Sequence, residues 1–158
     1  MIPKDEKNSL AAICGLFCGE CAFYLAPRIE DVETLKRLAD ARGVAPSEIT
    51  CDGCLSDNPR CDCIKCPHGF RNCAREHGVT RCHECAKFPC VRLTAFMHAH
   101  IMDGVSHHER VVRDLKRMRE IGVTAWVDER TANSLCRCGR PLYWYQKKCP
   151  DCGRARKR

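Results

Sequence analysis

The stretch Cys14–Cys21 reads CGLFCGEC, and how it is taken decides how the rest of the chain is read. Three cysteines at this spacing match the loop by which radical S-adenosylmethionine enzymes hold an iron–sulfur cluster with one iron left open. Such an enzyme places the loop after the first strand of a partial barrel. A chain of 158 residues has no room for the βα units that barrel needs. Glu20 also stands where an aromatic residue usually precedes the third cysteine. The chain holds 16 cysteines, so other thiols are at hand to close the coordination. The three cysteines therefore read as part of a larger metal framework rather than as a radical-enzyme loop.

That cysteine density is about one residue in ten, which marks a disulfide scaffold in a small secreted chain and a metal framework in an intracellular one. The start of the chain, MIPKDEKNSLAAICGLFCGEC, has no signal-peptide pattern, because its short apolar run follows four charged residues and already contains Cys14 and Cys18. No run approaches the roughly 18 apolar residues of a membrane span. The expectation is a soluble, cytoplasmic protein with reduced thiols and no membrane partner. The formal charge of +7 suggests nucleic acid, but it counts cysteines as neutral. Thiolate ligation of four divalent ions by all of them would offset that charge entirely.

The cysteines fall into three blocks. Cys14, Cys18 and Cys21 form the first. Cys51, Cys54, Cys61, Cys63, Cys66, Cys73, Cys82, Cys85 and Cys90 form the second, and Cys136, Cys138, Cys149 and Cys152 the third. In the last, CRCGRPLYWYQKKCPDCG places two tight turns 11 residues apart, and two such turns brought together give a tetrahedral set of four thiolates. Leu142 to Gln146 can form short strands between them, which outlines a zinc ribbon. In the middle block, CDGC and CHEC are C-x2-C pairs, each needing two ligands from elsewhere. Cys51 and Cys54 are expected to meet two of Cys63, Cys66 and Cys73. Cys18 and Cys21 are expected to meet Cys82 and Cys85. Cys14 and Cys90 either join a site or stay buried thiols, and Cys61 is the least expected to ligate. Residues 44–90 carry few large apolar side chains, so metal closure is needed to offset the ordering of the chain. The regular knuckles favour several zinc ions. The runs CGLFCGEC and CDCIKC keep open an iron–sulfur cluster in the N-terminal part.

Between the blocks the periodicity is helical. IEDVETLKRLADAR (29–42) puts Val32, Leu35, Leu38 and Ala39 on one face and ends at Gly43. HGFRNCAREH (68–77) makes a short helix carrying Cys73. PCVRLTAFMHAHIMDG (89–104) reads as one helix with a stripe of Val91, Ala95, Phe96 and Ala99. SHHERVVRDLKRMREIG (106–122) has a capping box in Ser106 and Glu109 and buries Val111, Leu115, Met118 and Ile121. VTAWVDERTAN adds a helix anchored by Trp126, and the end from Arg154 reads as a disordered basic tail. The divisions are a Cys-rich metal-binding domain at 1–104, a helical connector at 105–134, a zinc ribbon at 135–153 and the tail at 154–158.

His98, His100, His107 and His108 lack the spacing of a helical metal pair and read as surface residues. His68, His77 and His83 lie among the cysteines, where each is a candidate to replace one ligand. ERVVRDLKRMREIG alternates charge and reads as a solvated face. Tyr143, Trp144 and Tyr145 with Lys147 and Lys148 offer a base-stacking surface, although aromatics on such a hairpin more often pack its own core. There is no phosphate-binding glycine loop and no Ser/His/Asp set.

CGLFCGECAFYLA, CDGC, CIKCPHGFRNCAREHGV and CHECAKFPCVRLTAF together resemble the cysteine-rich prokaryotic family catalogued as domain of unknown function 3795, over residues 12–97. Residues 105–153 look similar to members with a helical extension and a terminal ribbon. The resemblance implies metal binding and no established reaction, and the many anaerobes among its hosts fit the iron–sulfur alternative. The fold class is thus mainly α, a small metal-stabilised Cys-rich domain with a C-terminal zinc-ribbon hairpin. The function reads as a non-catalytic, multi-site zinc protein that contacts a protein partner, with a redox or sensing protein, and a nucleic-acid-binding accessory protein, as the alternatives.

Overall fold

The computed structural model describes residues 4–56, 66–102 and 104–157. Among them are seven α-helices and one two-stranded sheet. A short α1 (Lys4–Asn8) leads into the loop of the first cysteines, followed by α2 (Ala22–Leu25). Next comes α3 (Val32–Arg42), where Asp31 caps the start by accepting from the Thr34 backbone N–H at 3.0 Å and Gly43 ends the helix in the left-handed conformation (φ 65°). The α4 helix (Phe70–Glu76) carries Cys73.

The helix expected over 89–104 is shorter. Here α5 spans Val91–Phe96, buries Leu93 and Phe96, and leaves Val91 83% exposed, so the stripe differs from the one read in the sequence. The chain then turns through a hairpin, β1 (Ile101–Met102) antiparallel to β2 (Val105–Ser106). Ser106 is therefore in a strand and caps no helix. Its hydroxyl donates to the Met97 carbonyl at 3.3 Å. The following helix, α6, begins only at Val111 and runs to Ile121. Gly122 separates it from α7 (Val123–Ser134).

The main core gathers Ala11, Ile13 and Phe17 of the first loop with Phe70, Leu93, Phe96, Val111, Leu115, Met118, Trp126 and Val127. Trp126 meets Phe17 edge-on, with ring centroids 5.9 Å apart. Gly15 has φ 92°, and a Cβ there would sit 2.7 Å from Leu115 Cγ and 3.0 Å from the Val111 carbonyl, so only glycine lets the first cysteine loop press onto α6. A second core joins Ala22, Leu25 and Ala26 to Tyr143, which ties the C-terminal unit to α2 and α3.

The C-terminal unit holds isolated bridges, Leu135 to Pro141 and Lys148 to Ala155, and no strand of the expected hairpin forms among its described residues. Its loops are fastened by single contacts rather than by a ladder. The end of the chain is also ordered up to Lys157, against the expected disorder. The Arg156 N–H donates to the Lys147 carbonyl at 2.8 Å, and its guanidinium donates to the Tyr143 carbonyl and pairs with Glu20.

Candidate metal centres

Among the described residues, Cys136, Cys138, Cys149 and Cys152 are the one set whose sulfur atoms all lie within 4.8 Å of one another. Each half of the set is a tight turn. The Gly139 N–H donates to the Cys136 carbonyl at 2.8 Å, and the Gly153 N–H to the Cys149 carbonyl at 2.9 Å. Both glycines have positive φ, which a side chain would oppose. The two turns are clamped by the Arg140–Asp151 ion pair at 2.9 Å. Arg140 also reaches Asp31 at 3.5 Å, and the Tyr143 hydroxyl donates to Asp31 at 2.7 Å. The cap of α3 therefore doubles as an anchor for the thiol cluster.

The Cys136–Cys152 and Cys138–Cys149 sulfurs are 3.4 and 3.6 Å apart. Four thiolates around a tetrahedral ion with metal–sulfur bonds near 2.3 Å stand about 3.8 Å from one another. The donor set, with all its sulfurs within 4.8 Å, thus fits such an ion after shifts of about an ångström or less. Without metal the thiols share their protons unequally. The Cys138 backbone N–H and the neighbouring sulfurs bring Cys136 down to about 7. At Cys152 the Arg154 N–H pulls the thiol down, but the sulfurs of Cys136, Cys138 and Cys149 outweigh it and push it up to about 12. A bound cation reverses that repulsion and displaces the protons.

The remaining cysteines gather more loosely in two places. Cys18 lies among Cys54, Cys21, Cys51 and Cys14, and burial together with these neighbours raises its thiol well above the usual range. The two C-x2-C segments here are shaped to present sulfur. The Cys21 N–H closes a 3-10 turn onto the Cys18 carbonyl at 3.0 Å. The Gly53 N–H donates to Cys51 Sγ at 3.3 Å, and the Ile13 N–H to Cys54 Sγ at 3.3 Å. Cys14 is buried beside Cys54, Cys82 and Cys66, and burial raises it in the same way.

In the second place, Cys73, Cys82, Cys85 and Cys90 line a cavity of about 30 Å³, closed by Phe70, Phe88 and Leu93. Burial, then Cys90, Cys73 and Cys85, push the Cys82 thiol up to about 12. The Cys82–Cys85 turn repeats that of Cys18–Cys21, with the Cys85 N–H on the Cys82 carbonyl at 3.2 Å. The Lys87 N–H donates to Cys85 Sγ at 3.5 Å. His77 also lines this cavity, its Nδ1 2.9 Å from the Cys73 carbonyl.

The neighbours of the knuckles in the structure differ from the expected partners. Cys18 and Cys21 lie beside Cys51 and Cys54, while Cys82 and Cys85 lie beside Cys73 and Cys90. The reason is the path of the chain at Arg81. This buried guanidinium donates to the Ala11 and Asn8 carbonyls at 3.0 and 2.6 Å, and the Cys82 N–H donates to the Ile13 carbonyl at 2.9 Å. These bonds hold the Cys82 turn against the residues before Cys14, leaving the Cys18 turn to face Cys51. Cys61 and Cys63 lie outside the described residues.

Of the four histidines expected at the surface, His98 and His100 are exposed, while His107 and His108 depart from expectation. His108 is buried, and His107 stacks on Trp144 at 4.2 Å with ring planes 12° apart. Among the polar groups missed in the sequence is Glu20, 4% exposed and paired with Arg130 at 2.7 Å and with Arg156. These arginines lie 110 and 136 residues further on, and no local spacing points to them.

The fold and the site thus define a mainly helical, cysteine-rich protein with a four-thiol cluster able to hold a metal ion. A family model described as a protein of unknown function (DUF3795) matches residues 10–95, more than half of the chain, and the chain belongs to that family. The match takes in the first two cysteine blocks and ends before the C-terminal cluster. Comparison with curated proteins and with solved structures gives no match. No helix is long and apolar enough to cross a membrane among the described residues.

Proposed function

We propose that this chain is a non-catalytic cytoplasmic protein that uses several zinc ions to hold its fold and contacts a protein partner through its exposed C-terminal unit and helix faces. The observation that carries the reading is the closed set of four thiols at Cys136, Cys138, Cys149 and Cys152, which leaves no open position on a tetrahedral ion. It acts as a zinc ribbon in the chemical sense, two thiol turns closed on one ion. Two further ions sit at Cys18, Cys21, Cys51 and Cys54, and at Cys73, Cys82, Cys85 and Cys90. The backbone N–H groups aimed at Cys51, Cys54 and Cys85 support those sets, because such bonds stabilise thiolate over thiol. Thiolate ligation on this scale requires a reducing compartment.

A second reading has one specific observation behind it. Cys14 and Cys66 stand with Cys54 in the first gathering, which then holds more thiols than a single zinc takes. An iron–sulfur cluster there, with zinc kept to the C-terminal unit, would make the protein a redox or sensing device.

The test is metal content per chain on anaerobically purified protein, with a visible spectrum beside it. About three zinc ions and no visible absorption are expected. Iron with sulfide and a brown colour would overturn the all-zinc reading in favour of the cluster.

A further inference from the structure

A cleft of about 720 Å³ opens between the first cysteine loop, the β1–β2 hairpin, α6, α7 and the end of the chain. Its volume falls in the range of small-molecule sites. Among the described residues no cysteine lines it, and it is separate from the four-thiol cluster. Six cationic side chains do: Arg110, Arg113, Arg130, Lys147, Arg156 and Lys157. Against them, among the described residues, stand three carboxylates, Glu20, Glu109 and Asp114. Glu20 is taken up by Arg130 and Arg156, and Asp114 by Arg110 at 3.5 Å. The surplus of positive charge is thus built into the walls, where low-dielectric surroundings concentrate its field.

Two features point to a ligand. Arg130 is only 7% exposed, lines the cleft, and keeps a buried Nε–H with no hydrogen-bond partner among the described residues. Arg110 Nε is in the same position. Unmatched donors of this kind are uncommon in a folded protein and call for an explanation. The other feature is aromatic. Trp144 lines the same cleft, its backbone N–H fixed to the Glu20 carbonyl at 3.0 Å and its indole backed by His107. A rigid, partly exposed ring beside guanidinium groups suits a planar ligand that carries several negative charges.

We propose that this cleft binds a nucleoside di- or triphosphate, with the phosphates on Arg110, Arg113, Arg130 and Lys157 and the base against Trp144. Guanidinium forks match phosphate oxygens two at a time, and the net positive wall suits a polyanion over a monoanion. A volume of about 720 Å³ suits a mononucleotide rather than a longer strand.

The test is calorimetric titration of the metal-replete full chain with ADP and, separately, with inorganic tripolyphosphate. ADP is expected to bind with a Kd below about 100 μM. The double variant Arg113→Ala/Lys157→Ala removes two exposed cations that have no partner among the described residues, and so leaves the fold intact by circular dichroism. It is expected to weaken both ligands about tenfold or more. Trp144→Ala is expected to weaken ADP about tenfold and leave tripolyphosphate unchanged, with Trp144→Phe restoring most of the loss. Absence of ADP binding at about 1 mM, or an unchanged Kd in the double variant, overturns the proposal. So does a single-stranded oligonucleotide that binds about a hundredfold tighter than ADP, which would make the surface a nucleic-acid groove. None of these outcomes depends on which metal the thiols hold.

Discussion

At His108 the imidazole lies flat on Phe96, ring centroids 3.7 Å apart, and its Nδ1 stands 3.0 Å from the Phe96 carbonyl. That geometry suits a neutral ring whose Nδ1–H donates to the carbonyl. Burial, opposed by this hydrogen bond, and the neighbouring His100 and His68 bring its pKa down to about 4. His107, partly buried against Trp144, is brought down to about 3, first by burial and then by His108 and His100. The folded state therefore binds protons less readily than the unfolded chain, whose histidines titrate near 6.5. Above that pH both states are neutral and these histidines leave stability unchanged. As the pH falls from about 6.5 toward 4 the unfolded state gains protons first, and stability drops. Urea unfolding of wild type and His108→Gln across this window checks it. The variant should show a shallower pH slope, and equal slopes would remove His108 as the cause.

At the scale of elements, the recurring unit is the thiol turn. Cys18–Cys21 and Cys82–Cys85 are both 3-10 turns with glutamate in the third position, and both are held to the first loop by backbone bonds. The C-terminal cluster uses turns of another kind and packs in a core of its own around Leu142. Helices α4 to α7 bury their apolar faces in the separate main core. Cys149→Ser should therefore lower metal content by about one ion per chain and leave the far-UV helical signal nearly intact. Mass spectrometry beside circular dichroism reads both quantities. Loss of every metal, or collapse of the helical signal, would show that the clusters stand or fall together.

Across the whole molecule, Glu20 is the point where distant segments meet. Its carboxylate takes Arg130 of α7 and Arg156 of the chain end, and its carbonyl takes the Trp144 N–H. A buried charge of this kind is expensive to strand, since removing one partner leaves the others without compensation in a low-dielectric setting. Glu20→Gln should cost about 3–5 kcal/mol in chemical denaturation, far more than loss of the exposed, solvent-screened Arg117–Glu129 pair. A loss below about 1 kcal/mol would show that solvent already screens the network.

What the sequence determined by itself was everything that local chemistry can specify. The helices at α3 and α6 follow from 3.6-residue periodicity and end at Gly43 and Gly122, as the spacing of apolar residues and glycines requires. The last four cysteines could be grouped because both halves of the set lie within 17 residues. Membership of the family was carried by the order of the knuckles. The tertiary structure alone decided which turns face each other. A C-x2-C segment supplies two ligands and carries no information about the other two, so the choice passed to the chain path that Arg81 sets. It likewise turned His108 inward, cut α5 short with a hairpin, and drew the basic end onto Glu20 to wall a cleft. Burial and long-range charge pairing are properties of the assembled surface, and no spacing along the chain encodes them.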